Sequence, residues 1–193
     1  MGIKKLKLAV FISGRGSNML SILDACKNPD YPAEIVLVLS NRPDAKGLVS
    51  AQEAGIPTEV VDHKDFENRE DFEDEIQERL ENYDIDLIVL AGFMRILTSG
   101  FVENWPDRMI NIHPSLLPDY KGLNTHQRAI DDGKKEAGCS VHFVIPDLDS
   151  GPVILQKRVP IMDDDTADTL ADRVLEQEHI AYPEAIRILA QNL

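Results

Sequence analysis

The sequence predicts an α/β fold with a mostly parallel central sheet flanked by helices and an antiparallel portion toward the C-terminal end. Three observations predict it. Apolar runs of strand length recur through the first 112 residues, segments of helical period separate them, and after Gly138 the pattern changes to apolar-polar alternation around a turn.

The strand-length runs are "LKLAVFI" (6–12), "EIVLVLS" (34–40), "PTEVV" (57–61), "DLIVLA" (86–91) and "RMINI" (108–112). Between them, "REDFEDEIQERLENY" sets Phe72, Ile76, Leu80 and Tyr83 at helical spacing, with Asn68 as its N-cap and its acids and arginines on a solvated face. Asp44 is expected to cap "AKGLVSAQEA", which Gly55 ends. Asn124 is expected to cap "THQRAIDD", which Gly133 ends. "CSVHFVI", the turn "PDLDSGP" and "VILQKRVPI" read as a hairpin-like pair. The tail "DTADTLADRVLEQEHIAYPEAIRILAQNL" reads as helix interrupted near Pro183. No repeat, low-complexity tract or linker divides the chain, so residues 1–193 are expected to form one domain.

Composition narrows the function classes. A formal charge of -14 repels nucleic acid and anionic membranes at long range, and no basic stripe reverses it locally. No apolar run approaches the roughly 20 residues of a membrane span. The lysines and apolar run at the N-terminus lack a signal-peptide cleavage pattern, and Gly2 lacks the Ser or Thr at position six of a myristoylation motif, where Leu6 stands. Two cysteines, Cys26 and Cys139, are too few for a disulfide framework and read as buried small hydrophobes. A cytoplasmic protein is the expectation. The five histidines show no metal-ligand spacing, and Ser115 has no G-x-S-x-G elbow, so neither a metal centre nor a serine nucleophile is expected.

Chemistry concentrates in three stretches. "FISGRGSNML" is a Gly-rich turn between the first strand and first helix. It lacks the third glycine of a dinucleotide fingerprint, since Met19 stands there, and no acid ends the second strand. Gly16, Ser17 and Asn18 at a helix N-terminus suit a monophosphate, and equally suit a plain tight turn with a Ser or Asn cap. In "MINIHPSLLP", Asn111 and His113 share one strand face at a carboxyl end, where open α/β sheets bind ligands, and Pro114 and Pro118 stiffen the loop that follows. In "IPDLDSGPV", Asp147 suits a turn, while Asp149 becomes functional if the fold brings it to His113. Asn, His and Asp together suit acyl transfer to an amine: Asn donates to an oxyanion, His moves a proton, and Asp orients the imidazole.

At these residues the chain resembles the phosphoribosylglycinamide formyltransferases. The landmarks are "SGRGSN" (13–18), "LAGFMRIL" (90–97), "NIHPSLLPDYKGLNTH" (111–126), "SVHF" (140–143), "LDSGPVILQ" (148–156) and "EQEHIAYP" (176–183), so the resemblance spans nearly the whole chain. It implies a Rossmann-like formyltransferase fold, with residues 1–100 as the phosphate-binding half and 101–193 as the folate-binding and catalytic half. It implies formyl transfer from 10-formyltetrahydrofolate to glycinamide ribonucleotide in purine biosynthesis, without a metal, in a monomer or homodimer. Asn111, His113 and Asp149 would be catalytic, Gly16, Ser17 and Asn18 would hold the phosphate, and Glu178 would bind the same substrate. Arg69, Met94, Arg95, Ile96, Leu97, Asn111 and the turn Ile145, Pro146, Asp147, Leu148 and Asp149 would form the folate site. A 10-formyltetrahydrofolate hydrolase and a non-catalytic phosphometabolite- or folate-binding module are the alternatives. The chain shows neither the extra N-terminal domain expected of the hydrolase nor the basic tRNA-binding addition of a related formyltransferase.

Overall fold

Strands that are apolar without alternation can form only where both sheet faces are covered, and the chain supplies helices for both. The computed structural model describes residues 5–191. In chain order its elements are β1 (Leu6–Ile12), α1 (Ser17–Cys26), β2 (Ala33–Ser40), α2 (Lys46–Glu53), β3 (Thr58–Val60), α3 (Arg69–Leu80), β4 (Leu87–Leu90), α4 (Ser99–Glu103), β5 (Met109–His113), α5 (Thr125–Asp131), β6 (Glu136–Phe143), β7 (Val153–Pro160) and α6 (Ala167–Ala190). The sheet order is β3-β2-β1-β4-β5-β6-β7. Pairings from β3 through β5 are parallel, whereas β6 and β7 run antiparallel. The expected strands and the terminal hairpin are all present.

Alternation along each strand sorts two cores. Leu8, Val10, Ile12, Val89 and Ile110 pack with Met19, Ile22, Leu48 and Tyr182 on one face. Ala9, Phe11, Leu39 and Ile88 pack with Phe72, Ile76, Phe101 and Trp105 on the other. The order reverses between β1 and β4, and that reversal opens a crevice beyond the carboxyl ends of these strands. Both edges of the crevice are tied together, because the Met94 N–H donates to Ser13 Oγ at 2.7 Å and Ser13 Oγ donates to Asn41 Oδ1 at 2.5 Å.

Several local expectations need correction. Asp44 does not cap α2: Ala45 holds that position, and both Asp44 oxygens are taken by the Arg42 guanidinium at 3.0 and 2.8 Å. Asn124 stands at the N-cap of α5 with φ 56°, but its side chain makes no cap hydrogen bond. Neither Ser17 nor Asn18 caps α1, whose N-cap is Gly16 at φ 70°. Asn68 does cap α3, accepting from Asp71 N at 2.8 Å. The acidic face of α3 is not wholly solvated, since Glu73 is buried and accepts from Thr98 N at 2.8 Å and from the Thr98 hydroxyl. Cys139 is buried as expected, but Cys26, the last residue of α1, is only half-buried.

Helix α6 is not interrupted at Pro183. Proline removes one N–H, and the surrounding packing outweighs that loss: Ala181, Tyr182, Ala185 and Ile186 are fully buried. Tyr182 donates to the Leu90 carbonyl at 2.7 Å, and Tyr31 donates to the Pro183 carbonyl at 2.8 Å. Gly2 and the last two tail residues lie outside the described residues. Among the described residues, no helix is long and apolar enough to cross a membrane.

Candidate active site

Strand β5 ends on His113, and the loop beyond it is fastened at each turn. Ser140 Oγ donates to the Ser115 carbonyl at 2.7 Å and accepts from Leu117 N at 3.0 Å, while Thr125 Oγ1 donates to the Pro114 carbonyl at 2.8 Å. The Leu117–Pro118 peptide bond is cis. Ser115 is engaged too, donating to the Asp119 carbonyl at 2.6 Å. The order anticipated from the two prolines is therefore built from side-chain bonds to loop backbone.

That loop returns to the histidine. His113 Nε2 lies 2.9 Å from the Tyr120 carbonyl. A carbonyl can only accept, so Nε2 carries a proton and Nδ1 is the nitrogen left to gain or lose one. Nδ1 faces Asp149 Oδ2 at 3.4 Å. Asp149 comes from the turn between β6 and β7, sits at φ 48°, and accepts from Gly122 N at 2.9 Å. His113 and Asp149 are 6 and 9% exposed, so water screens their interaction little.

Asn111 lies on the same strand face, opposite His142 in the antiparallel register. His142 Nδ1 is 2.8 Å from the Phe143 carbonyl and so carries the ring proton. Its Nε2 then accepts from Asn111 Nδ2 at 3.4 Å. Burial pushes the His142 pKa down, against smaller raising effects from that carbonyl and Asp149. A neutral His142 fixes the Asn111 amide and leaves its second N–H free for the cavity.

The cavity holds about 390 Å³, a volume suited to an organic cofactor or substrate. Met94, Arg95, Ile96, Leu97, Asn111, Ile145, Pro146, Leu148 and Asp149 line it, as do His142, Gly122 and Leu123. Of the residues expected there, Asp147 and Arg69 are outside the lining; Asp147 is exposed, and Arg69 donates to the carbonyl of the lining residue Ile96 at 3.5 Å. His113 is buried and outside the lining, and it meets the cavity wall through Asp149. The buried Glu73-Thr98 contact anchors the C-terminal end of the 94–97 wall.

On the other side of the crevice, Asn18 Nδ2 donates to Glu178 Oε2 at 2.8 Å, which joins the Gly-rich turn to α6. Both side chains are buried, and burial raises the Glu178 pKa despite that bond. Among the described residues, no group of three His, Cys, Asp or Glu is placed to hold a metal ion.

Sequence reasoning missed His142, Tyr120, Gly122 and Ser13. The alternation of "SVHF" does separate His142 from Val141, but only strand register shows that His142 opposes Asn111. Tyr120 and Gly122 act through backbone atoms, which leave no side-chain signature.

A model of the formyl transferase family matches residues 6–186. The chain belongs to the formyl transferase family. Among members of that family, phosphoribosylglycinamide formyltransferase of Haemophilus influenzae is 48% identical over 94% of this chain and 85% of its own length. The trifunctional purine biosynthetic protein adenosine-3 of Gallus gallus is 46% identical over 96% of this chain, which spans only 18% of that longer protein. Among solved structures, the phosphoribosylglycinamide formyltransferase of Brucella melitensis superposes with a TM-score of 0.93 at 49% identity, covering 97% of this chain and 96% of that one. That of Coxiella burnetii gives 0.92 at 50% identity, covering 97 and 88%. The Rossmann-like sheet with its antiparallel end is the formyltransferase architecture.

Proposed function

We propose that this formyltransferase moves the formyl group of 10-formyltetrahydrofolate to the amine of glycinamide ribonucleotide, a step of purine biosynthesis, giving N-formylglycinamide ribonucleotide and tetrahydrofolate. The observation that carries the reading is the convergence of Asn111, His113 and Asp149, from two separate segments, at the edge of one largely apolar cavity. The names of the relatives support formyl transfer to phosphoribosylglycinamide.

In this reading the folate occupies the cavity between 94–97 and 145–149, with Arg69 bracing its wall. The ribonucleotide phosphate meets Gly16, Ser17 and Asn18 at the start of α1, and Glu178 meets the same substrate. Residues 1–100 thus supply the phosphate loop, and 101–193 supply the catalytic groups; segment 94–97 and Glu178 cross that division. The substrate amine attacks the formyl carbon. The resulting oxyanion takes a hydrogen bond from Asn111 Nδ2 and is offset by the charge of the protonated His113 imidazole, which then passes a proton to the leaving folate nitrogen. Asp149 holds the imidazolium in place and, through a water, receives the proton shed by the attacking amine. The chemistry needs no metal, and catalysis in a cytoplasmic setting fits these soluble substrates.

Tetrahydrofolate release from 10-formyltetrahydrofolate, measured with and without glycinamide ribonucleotide, tests the reading. Release that requires the ribonucleotide, with formylated product, supports it. Equal release in both reactions would make the protein a hydrolase, and binding without release would make it a binding module.

A further inference from the structure

Two helices begin at nearly the same point. An added Cβ on Gly16 would lie 3.3 Å from the Gly47 Cα, and one on Gly47 would lie 3.3 Å from the Arg15 carbonyl oxygen. The Gly47 N–H also donates to the Gly14 carbonyl at 3.0 Å. The first turn of α2 is therefore pressed against the loop that starts α1. Neither helix has a side-chain cap bond or an acidic residue in its first turn. The positive ends of both dipoles consequently meet at residues 14–16 with no side-chain cap and no first-turn carboxylate to offset them.

Two cations flank this point. Arg15 precedes Gly16 and Lys46 precedes Gly47; both are exposed, and neither side chain has a hydrogen-bond or ion-pair partner among the described residues. Several other cations do find a carboxylate. With 34 acids to 20 basic residues, carboxylates are abundant, and Arg42, Arg79, Arg158 and Arg173 each hold one. Asp44, the acid nearest Lys46 in sequence, is bound on both oxygens by Arg42. Beneath the loop, Asn18 is 8% exposed and its Oδ1 is buried without a partner, although its Nδ2 is engaged. A buried acceptor in the first turn of α1 with no donor marks a site that a ligand's own hydroxyl or N–H would complete.

We propose that Arg15 and Lys46 form a cationic clamp that closes on the phosphate of the acceptor from the solvent side. This rests on the transferase reading of the Gly-rich loop and adds to it a determinant of affinity for the phosphorylated form. A guanidinium offers a planar fork to phosphate oxygens and an ammonium offers a point charge, so the two complement the backbone N–H groups below. The clamp also answers an electrostatic problem. A protein of net charge -14 repels a dianionic phosphate group at a distance, and two unpaired cations at the loop reverse the field where the phosphate must land.

Arg15→Gln, Lys46→Gln and the double variant test the clamp in the full-length protein. KM and kcat are measured for both substrates at low and raised ionic strength, with calorimetric binding of ribose 5-phosphate alongside. Arg15→Gln is expected to raise the ribonucleotide KM by about 5- to 30-fold, and the double variant by more. The salt dependence of that KM should flatten, and the KM for the formyl donor should hold. Because both positions are exposed, melting temperatures should stay near wild type. Equal ribose 5-phosphate affinity in wild type and double variant, or an unchanged ribonucleotide KM in Arg15→Gln, would overturn the clamp. Arg15-dependent ribose 5-phosphate binding by a wild-type protein that fails to formylate glycinamide ribonucleotide would leave the clamp standing and overturn the transferase reading.

Discussion

His113 Nδ1 lies 3.4 Å from Asp149 Oδ2 with its other nitrogen already committed to the Tyr120 carbonyl. One ring nitrogen is fixed as a donor, so the proton that can move sits between imidazole and carboxylate. His113→Ala should therefore lower kcat by about 10²–10⁴-fold while changing substrate binding far less. Because the two residues act as a unit, the double variant with Asp149→Asn should cost little beyond His113→Ala alone. Steady-state kinetics on the four proteins checks both points, and fully additive losses would separate the residues.

Asn111 offers its free amide N–H to the cavity while His142 holds the other. If that N–H meets the developing oxyanion, Asn111→Ala should cost on the order of 10²–10³ in kcat. An effect confined to the folate KM would make Asn111 a binding residue only.

Ser17 opens α1 directly after the left-handed Gly16. Ser17→Asp places a carboxylate where the phosphate is proposed to sit, and like charges brought together cost several kcal/mol, so ribonucleotide affinity should fall by about tenfold or more. Folate affinity should be untouched. Isothermal titration with each substrate separates the outcomes, and a loss on the folate side would reassign the loop.

The pH response of stability follows from His142. Its folded pKa lies below the ordinary 6.5, chiefly through burial. Between those values the unfolded chain binds a proton that the folded chain refuses, so this contribution to stability is complete above 6.5 and is lost as pH falls. His126 and His179 shift the same way by burial, and Glu178, raised, acts oppositely; all three are shared with a His142→Asn variant. From about pH 7.5 to about 5.5 the melting temperature of the variant should fall less steeply than that of wild type. Parallel slopes would exclude His142.

Gly138 allows β6 and β7 to approach, because a Cβ there would run into the Lys157 carbonyl oxygen and Leu116. Gly138→Ala should destabilise the protein by about 1–3 kcal/mol or more, measured by denaturant unfolding. The hairpin carries Asp149, so activity should fall at temperatures below the new melting point as well.

The sequence by itself determined the strands, the helices other than α4, and the change from parallel to antiparallel pairing, because apolar period is a local property that follows directly from which faces are buried. It also determined that Asn111 and His113 share a face, since strand alternation settles it within three residues. Its errors were local competitions. Asp44 met the guanidinium of Arg42 before it met a helix end, Glu73 found Thr98, and Pro183 was carried through α6 by buried neighbours.

Only the tertiary structure decided that Asp149 reaches His113, that His142 opposes Asn111, and that Arg15 and Lys46 flank one loop. Each of these depends on strand register or on where two distant helices begin. Register and helix docking are fixed by the packing of the whole sheet, a sum over many contacts that no short stretch of sequence contains.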